Sequence, residues 1–483
     1  MRVDVVLVQP PSLRWADVPR RHAQPLNLLS LATTVKRSGV DVRIIDMVAE
    51  GYTQQEEIQS HVFRYGMPLE ELGERIEELR PKIIGISFNY TFTWGESLRV
   101  AEFLKKEFPE VILIGGGRHL HGLTSPSPEN RGSYRPALKL LDFILLGEAF
   151  CTFPVLVQKI LRNEVRRPRS RSGDTEAQIL TADDFSEEDL KSTDCTFDYD
   201  LDLLNHENYV AAMAHFEVSQ PVKFFTYLSQ RGCPIGCKFC TVPFFDGLKL
   251  RLQPQSVYRK NFRAIAQWGY KQIVLQDDNL TVWPKKALRE YLHAAAEEVP
   301  NLYLDGGLYL PAITEALIEE LAQLPIYGVF VPYENERLTF MKKLHKYNQL
   351  TKSVLRKFKE VAEGFEAFGI PFYTAMMVGF PEEDMKDIDL RFQFAEKIKN
   401  LGARYVSIHW VHPYPGTPFY EIYYPQVPED RRWEHHPEYY DFSRPVFKPS
   451  QVTYEELEEL TREWNQKLNG IEARLPGVWE EGR

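Results

Sequence analysis

Cysteine is scarce. The 483 residues hold five, an odd number, and three of them, Cys233, Cys237 and Cys240, fall within eight positions. Cys151 and Cys195 stand alone in the sequence. A secreted disulfide framework needs an even, dispersed set, so this pattern argues against one and fits a reducing compartment. Long apolar runs are also missing: none approaches the roughly 20 residues that span a bilayer. Residues Met1 to Val8 alternate apolar and polar and lack the basic region, apolar region and cleavage site of a signal peptide. The expectation is a cytoplasmic protein with no membrane span.

Positive charge is in deficit, with 58 Lys and Arg against 68 Asp and Glu, a net charge of -10. Neutralising phosphates requires a basic face, so general nucleic-acid binding is not expected. The one basic run, Arg166-Arg167-Pro168-Arg169-Ser170-Arg171, is flanked by Gly173 and has no interleaved aromatics, which reads as a solvated linker. No repeat occurs at solenoid spacing. The glycine triplet 115–117 does not extend to the G-x-G-x-x-G that opens a dinucleotide-binding helix.

What is present is β/α alternation, twice. Arg2–Val8, Val40–Ile45, Pro81–Phe88, Val111–Ile114 and Leu141–Leu146 are apolar, β-rich runs separated by helical spacing such as Leu26–Arg37 and Gly95–Phe108. They predict a doubly wound, Rossmann-like parallel sheet over residues 1–162, with its ligand beyond the carboxyl ends of the strands. Periodicity fades over 163–220, a linker. From Phe224 a second series begins: strands at Phe224–Ser229, Gln272–Gln276, Leu302–Asp305, Tyr327–Tyr333, Phe372–Val378 and Tyr405–Trp410. Six units predict a partial (β/α)6 barrel over 221–420, with chemistry at the carboxyl ends of its strands. Residues 421–483 form a C-terminal extension, ending in a charged helix from Thr453 to Leu468. Its Tyr and Trp residues can either line a substrate pocket or pack against the barrel.

The three clustered cysteines have the spacing Cx3Cx2C and follow the first barrel strand. Three thiolates on one loop can hold three irons of a cubane and leave the fourth open to another ligand. The alternative is zinc, which needs a fourth ligand from elsewhere. Cx3CxΦC, with Phe239 at Φ, resembles the signature of the radical S-adenosylmethionine (SAM) superfamily. That resemblance implies a [4Fe-4S] cluster on Cys233, Cys237 and Cys240, with SAM chelating the open iron and being cleaved by one electron to a 5'-deoxyadenosyl radical. It also implies SAM contacts at Gln276, Asp277 and Asp278 after the second strand and at Glu334 after the fourth. Gly379 in Gly-Phe-Pro-Glu-Glu would approach the adenosine, and His409 on the sixth strand would face the substrate or the core.

The N-terminal landmarks resemble those of the subgroup with a cobalamin-binding domain. They are Pro10 after the first strand, Ser87 with Thr91 downstream, Gly115, Gly116 and Gly117 with His119, and Gly147-Glu148. The resemblance implies cobalamin as a further cofactor. Two departures stand out. The Asp-x-His-x-x-Gly motif that supplies a lower histidine ligand to cobalt is absent, and Gly147-Glu148-Ala149-Phe150 replaces the usual Gly-Glu-Gly-Glu. Further cysteine-ligated clusters are not expected, since only Cys151 and Cys195 remain. The resulting expectation is a cobalamin-dependent methyltransferase acting on an unactivated carbon or phosphorus of a small molecule or peptide, reduced by a flavodoxin or ferredoxin. A cyclase or rearrangement enzyme using the same cofactors, and a zinc-stabilised binding protein, are the alternatives.

Overall fold

The computed structural model describes residues 2–18, 22–125, 128–168, 176–192, 196–209 and 223–470. Arg169, Ser170 and Arg171 of the basic run, and Cys195, lie outside the described residues.

The N-terminal sheet comprises β1 (Val5–Gln9), β2 (Val42–Asp46), β3 (Ile83–Ser87), β4 (Ile112–Gly116), β5 (Phe143–Leu145) and β6 (Gln178–Leu180). Its order is β2-β1-β3-β4-β5-β6, parallel throughout. Val, Ile and Leu dominate these strands because helices cover both faces, which leaves no polar side for alternation. The order reverses between β1 and β3, and that switch point opens a crevice at the carboxyl ends. The sixth strand was not expected: it comes from the stretch read as linker, and three residues are too few to carry a period. Also unexpected is a small antiparallel sheet of Ser12–Trp15, Val62–Tyr65 and Gln55–Gln59, whose last strand, Gln-Glu-Glu-Ile-Gln, is exposed throughout. Cys151, solitary in the sequence, is disulfide-bonded.

The second sheet runs β7 (Phe224–Tyr227), β8 (Gln272–Leu275), β9 (Asn301–Leu304), β10 (Ile326–Phe330), β11 (Phe372–Val378) and β12 (Tyr405–Trp410), each parallel to the next. This is the six-stranded partial barrel. An open barrel has two edges with unpaired backbone groups, and one side-chain amide reaches each. Gln24, from the N-terminal half, is buried; its Nε2 donates to Phe224 O at 3.1 Å and its Oε1 accepts from Thr226 N and Oγ1, both at 3.0 Å. On the far edge, at the end of the helix Tyr454–Asn469, Asn469 accepts from Val406 N at 3.0 Å and donates to Val406 O at 2.9 Å.

The C-terminal extension packs one of its aromatic residues against the N-terminal half. Trp433 is fully buried in a box with Trp94, His119 and Tyr134 of the N-terminal half, its ring centroid 4.6 Å from that of His119. Trp15 Nε1 donates to Glu438 O at 3.0 Å, and Tyr420 OH donates to Asn130 Oδ1 at 3.1 Å. The segment therefore straps the two β/α halves together.

Candidate active site at the domain junction

The cysteine loop leaves the carboxyl end of β7. A two-residue antiparallel pair, Gln230–Arg231 against Arg251–Leu252, closes its neck. Gly232 has φ +81°, and a Cβ there would lie 2.3 Å from Lys249 O, so only glycine fits. Inside the loop Cys233 N donates to Gly247 O and Cys240 N to Cys237 O, both at 3.1 Å. Lys238 N donates to Leu344 O at 3.0 Å. Cys233 and Cys237 are buried and Cys240 is half-buried. Burial pushes all three thiols up, Cys237 to about 11 and Cys240 to about 12. Such thiols ionise only beside a strong cation, which iron provides. Among the described residues no three His, Cys, Asp or Glu side chains converge on a single-ion position. A cubane makes a different demand, since each thiolate meets its own iron. A loop of three unbridged thiols, two of them buried, fits it. Phe239 packs against the core behind the loop.

The residues after β8 divide. Asp277 is fully buried and accepts from Ser229 N at 2.7 Å, Ser229 Oγ at 3.0 Å and Tyr291 OH at 2.8 Å. These bonds tie β8 to β7, a structural duty for Asp277. Asp278 differs: its Oδ2 is buried with no hydrogen-bond partner, and burial raises its carboxyl to about 6 against the opposing pull of Arg118. Gln276 Nε2 donates to Asp305 Oδ2 at 3.3 Å. Asn279, not singled out from the sequence, directs Nδ2 toward Cys233 Sγ at 4.0 Å.

Glu334 lies past β10 with φ +63°, an uncommon conformation for a side-chain-bearing residue, and bridges to Met376 of β11. Its carboxylate pairs with Lys346 Nζ at 2.9 Å. Burial opposes the Lys346 charge, but Glu334 and the Cys237 thiolate outweigh it and the ammonium is held charged. Lys346 also escaped the sequence reading, hidden in the basic run Lys342-Lys343-Leu344-His345-Lys346, which looks like a solvated face. Gly379 has φ +78°, and a Cβ would come within 2.3 Å of Trp410. Glu383 Oε2 accepts from Gly379 N at 2.9 Å and Phe380 N at 3.2 Å, and fixes that turn. His409 stacks on Phe442 with centroids 5.3 Å apart.

A cavity opens at the carboxyl ends of β3, β4 and β5. Ser87, Gly115, Gly116, Gly117, Gly147 and Glu148 line it, with Leu7, Leu28 and Leu31 as an apolar floor. Gly147 has φ +77° with open space where a Cβ would stand. Pro10, Thr91 and His119 are not in the lining. His119 is buried behind it, with Nδ1 3.1 Å from Thr91 Oγ1, and burial alone lowers its basicity to about 3. The opposite wall comes from the barrel, in Arg231 and Phe245 of the cysteine loop. Two further contacts hold this wall in place. Arg118, directly after the glycine triplet, pairs with Asp246 at 2.5 Å, and His121 Nε2 meets Phe244 O at 2.8 Å. Small residues, an apolar floor and orphaned polar atoms of Arg231 and Glu148 at the wall fit a large, flat, amide-bearing group.

Residues 17–125 match the B12 binding domain family model, and residues 227–395 match that of the radical SAM superfamily. The cytidylyl-2-hydroxyethylphosphonate methyltransferase of Streptomyces wedmorensis is 24% identical over 82% of this chain and 83% of its own. The hopanoid C-3 methylase of Methylococcus capsulatus is 22% identical over 86% of this chain and 71% of its own. Among solved structures, the radical S-adenosylmethionine methyltransferase TsrM from Kitasatospora setae, with cobalamin and [4Fe-4S] cluster bound, has a TM-score of 0.60. Its identity is 15%, and the match covers 97% of this chain and 85% of that one. The cobalamin-dependent S-adenosylmethionine radical enzyme OxsB has a TM-score of 0.56 at 15% identity, over 95% of this chain and 61% of that one. These likenesses establish the fold. No helix among the described residues is long and apolar enough to cross a membrane.

Proposed function

We propose that this chain, a radical SAM enzyme with an N-terminal B12-binding domain, is a cobalamin-dependent methyltransferase acting on an unactivated carbon or phosphorus of a small-molecule or peptide substrate. One observation carries the reading: a single loop serves both sites. It holds Cys233, Cys237 and Cys240, and its Arg231 and Phe245 wall the cavity of the N-terminal domain. Group transfer between two bound cofactors requires such proximity, because orientation supplies much of the rate. When bound, the cluster and SAM supply the radical and the corrinoid supplies the methyl group.

The chain's own residues bind and orient. The three cysteines hold iron. Asp278, with a buried carboxylate oxygen unpaired, accepts from the SAM ammonium. The Lys346–Glu334 pair sets the charge opposite it, and the Gly379 turn admits the adenosine. The aromatic strap keeps the junction closed and excludes water. Relatives named as methyltransferases favour transfer over cyclisation. We place the domain limits at 1–162 and 221–420, the first domain extended by β6, with reduction by a flavodoxin or ferredoxin.

The test is anaerobic incubation of the reconstituted protein with reductant and SAM labelled in its methyl group. The proposal expects 5'-deoxyadenosine in solution and label in the corrinoid fraction. Deoxyadenosine with no label in the corrinoid would remove the methyltransferase reading and leave a radical SAM enzyme of another kind.

A further inference from the structure

Two residues that line the cavity, one from each half of the molecule, hold buried polar atoms close to one another. Arg231 Nε and Glu148 Oε1 form a long ion pair at 4.0 Å, beyond hydrogen-bond reach, and neither has a hydrogen-bond partner. They are not free to swing together. Glu148 Oε2 is held by Arg251 Nη1. Arg231 Nη1 faces Asp246 Oδ1 at 3.6 Å and Nη2 donates to Asn27 Oδ1 at 3.3 Å. The guanidinium carbon lies 4.9 and 4.6 Å from the ring centroids of Phe150 and Phe197, which are 5.4 Å from each other, so the two rings pack against it side by side. Arg231 is only 5% exposed in its side chain. Leaving a buried donor and a buried acceptor unpaired is costly, so their persistence marks a place built for a third group.

We infer that Arg231 Nε and Glu148 Oε1 form a clamp for a primary carboxamide at the rim of the corrinoid. This rests on the corrinoid reading above. A fixed donor next to a fixed acceptor matches a primary amide on both sides: its carbonyl accepts from Arg231 Nε and its N–H donates to Glu148 Oε1. A carboxylate in that position meets Glu148 and is repelled; an ammonium meets Arg231. The corrin ring bears primary carboxamide side chains, whereas the adenosine and methionine parts of SAM bear none. Since Glu148 belongs to the B12-binding half and Arg231 to the cysteine loop, the clamp is complete only with the two halves docked. The ligand therefore ties the position of the cluster loop to that of the corrin.

The test uses the whole reconstituted protein and reads affinity, by titrating absorbance with hydroxocobalamin and with the isomeric monocarboxylic acids that hydrolysis of single side-chain amides produces. In Glu148→Gln the side-chain oxygen stays with Arg251 and the nitrogen turns toward Arg231, replacing donor and acceptor with two donors. The variant should bind hydroxocobalamin roughly tenfold more weakly, and should bind one particular monocarboxylate isomer, disfavoured by the wild type, more tightly. Equal changes across all corrinoids, or no change, would overturn the clamp while leaving corrinoid binding intact. A wild type that binds no corrinoid would overturn the functional reading and the clamp with it.

Discussion

At the scale of single residues, neighbours in sequence have opposite duties. Asp277 and Asp278 look interchangeable as acceptors for an ammonium, yet one has its oxygens occupied by Ser229 and Tyr291 and the other has one oxygen bare. Asp277→Ala strands three buried donors and should cost about 3 kcal/mol or more of stability, read by urea denaturation. Asp278→Ala should leave the urea midpoint in place and weaken SAM binding with the iron content unchanged. An equal loss of stability in both variants would return Asp278 to the core. Nothing in the string Gln276-Asp277-Asp278 distinguishes the two; the distinction depends on where β7 and the helix carrying Tyr291 stand. Cys233, Cys237 and Cys240 were legible because their message is local, a spacing on one loop. Lys346 and Asn279 were not, because their partners lie far away in the sequence.

At the scale of elements, the strands that bury both faces were readable from their apolar runs, and β11 and β12 begin and end where the sequence places them. The exposed strand Gln55–Gln59 and the three-residue β6 carry no apolar period and could not be read. A similar limit applies to His119, whose place after the glycine triplet suggests a cofactor contact. The structure instead encloses it between the segment bearing Trp94 and the one bearing Trp433. With folded basicity depressed to about 3 from an ordinary 6.5, the unfolded chain binds the extra proton first. This contribution to stability is therefore full above pH 6.5 and declines as pH falls toward 3, by up to about 1.4 kcal/mol per unit. His412, lowered to about 4 by burial, adds a second such slope. His119→Phe should flatten the fall in stability between pH 6.5 and 5 relative to wild type, even if its stability at pH 7 is lower. An unchanged slope would mean that His119 is not buried as a neutral ring.

At the scale of the whole molecule, two β/α halves meet with their strand ends facing one junction. The contacts that hold them come from segments without periodic signals: Gln24 on one barrel edge, Asn469 on the other, Trp433 in the aromatic box. The sequence shows two domains and a tail. It does not show that the tail is a strap, since aromatic residues that pack and those that bind a ligand have the same composition. The cavity gathers six of the nine N-terminal landmarks and sets the cysteine loop as its far wall. The order of weak motifs along the chain thus becomes a single place in the fold.

The most direct test of this account is anaerobic reconstitution of the wild type and Cys237→Ala with iron, sulfide and hydroxocobalamin, followed by iron and corrinoid quantification. The expected result is about four irons and one corrinoid per wild-type chain, and a variant that loses the iron while retaining the corrinoid. A wild type with full iron and no corrinoid, or a variant with full iron, would contradict it.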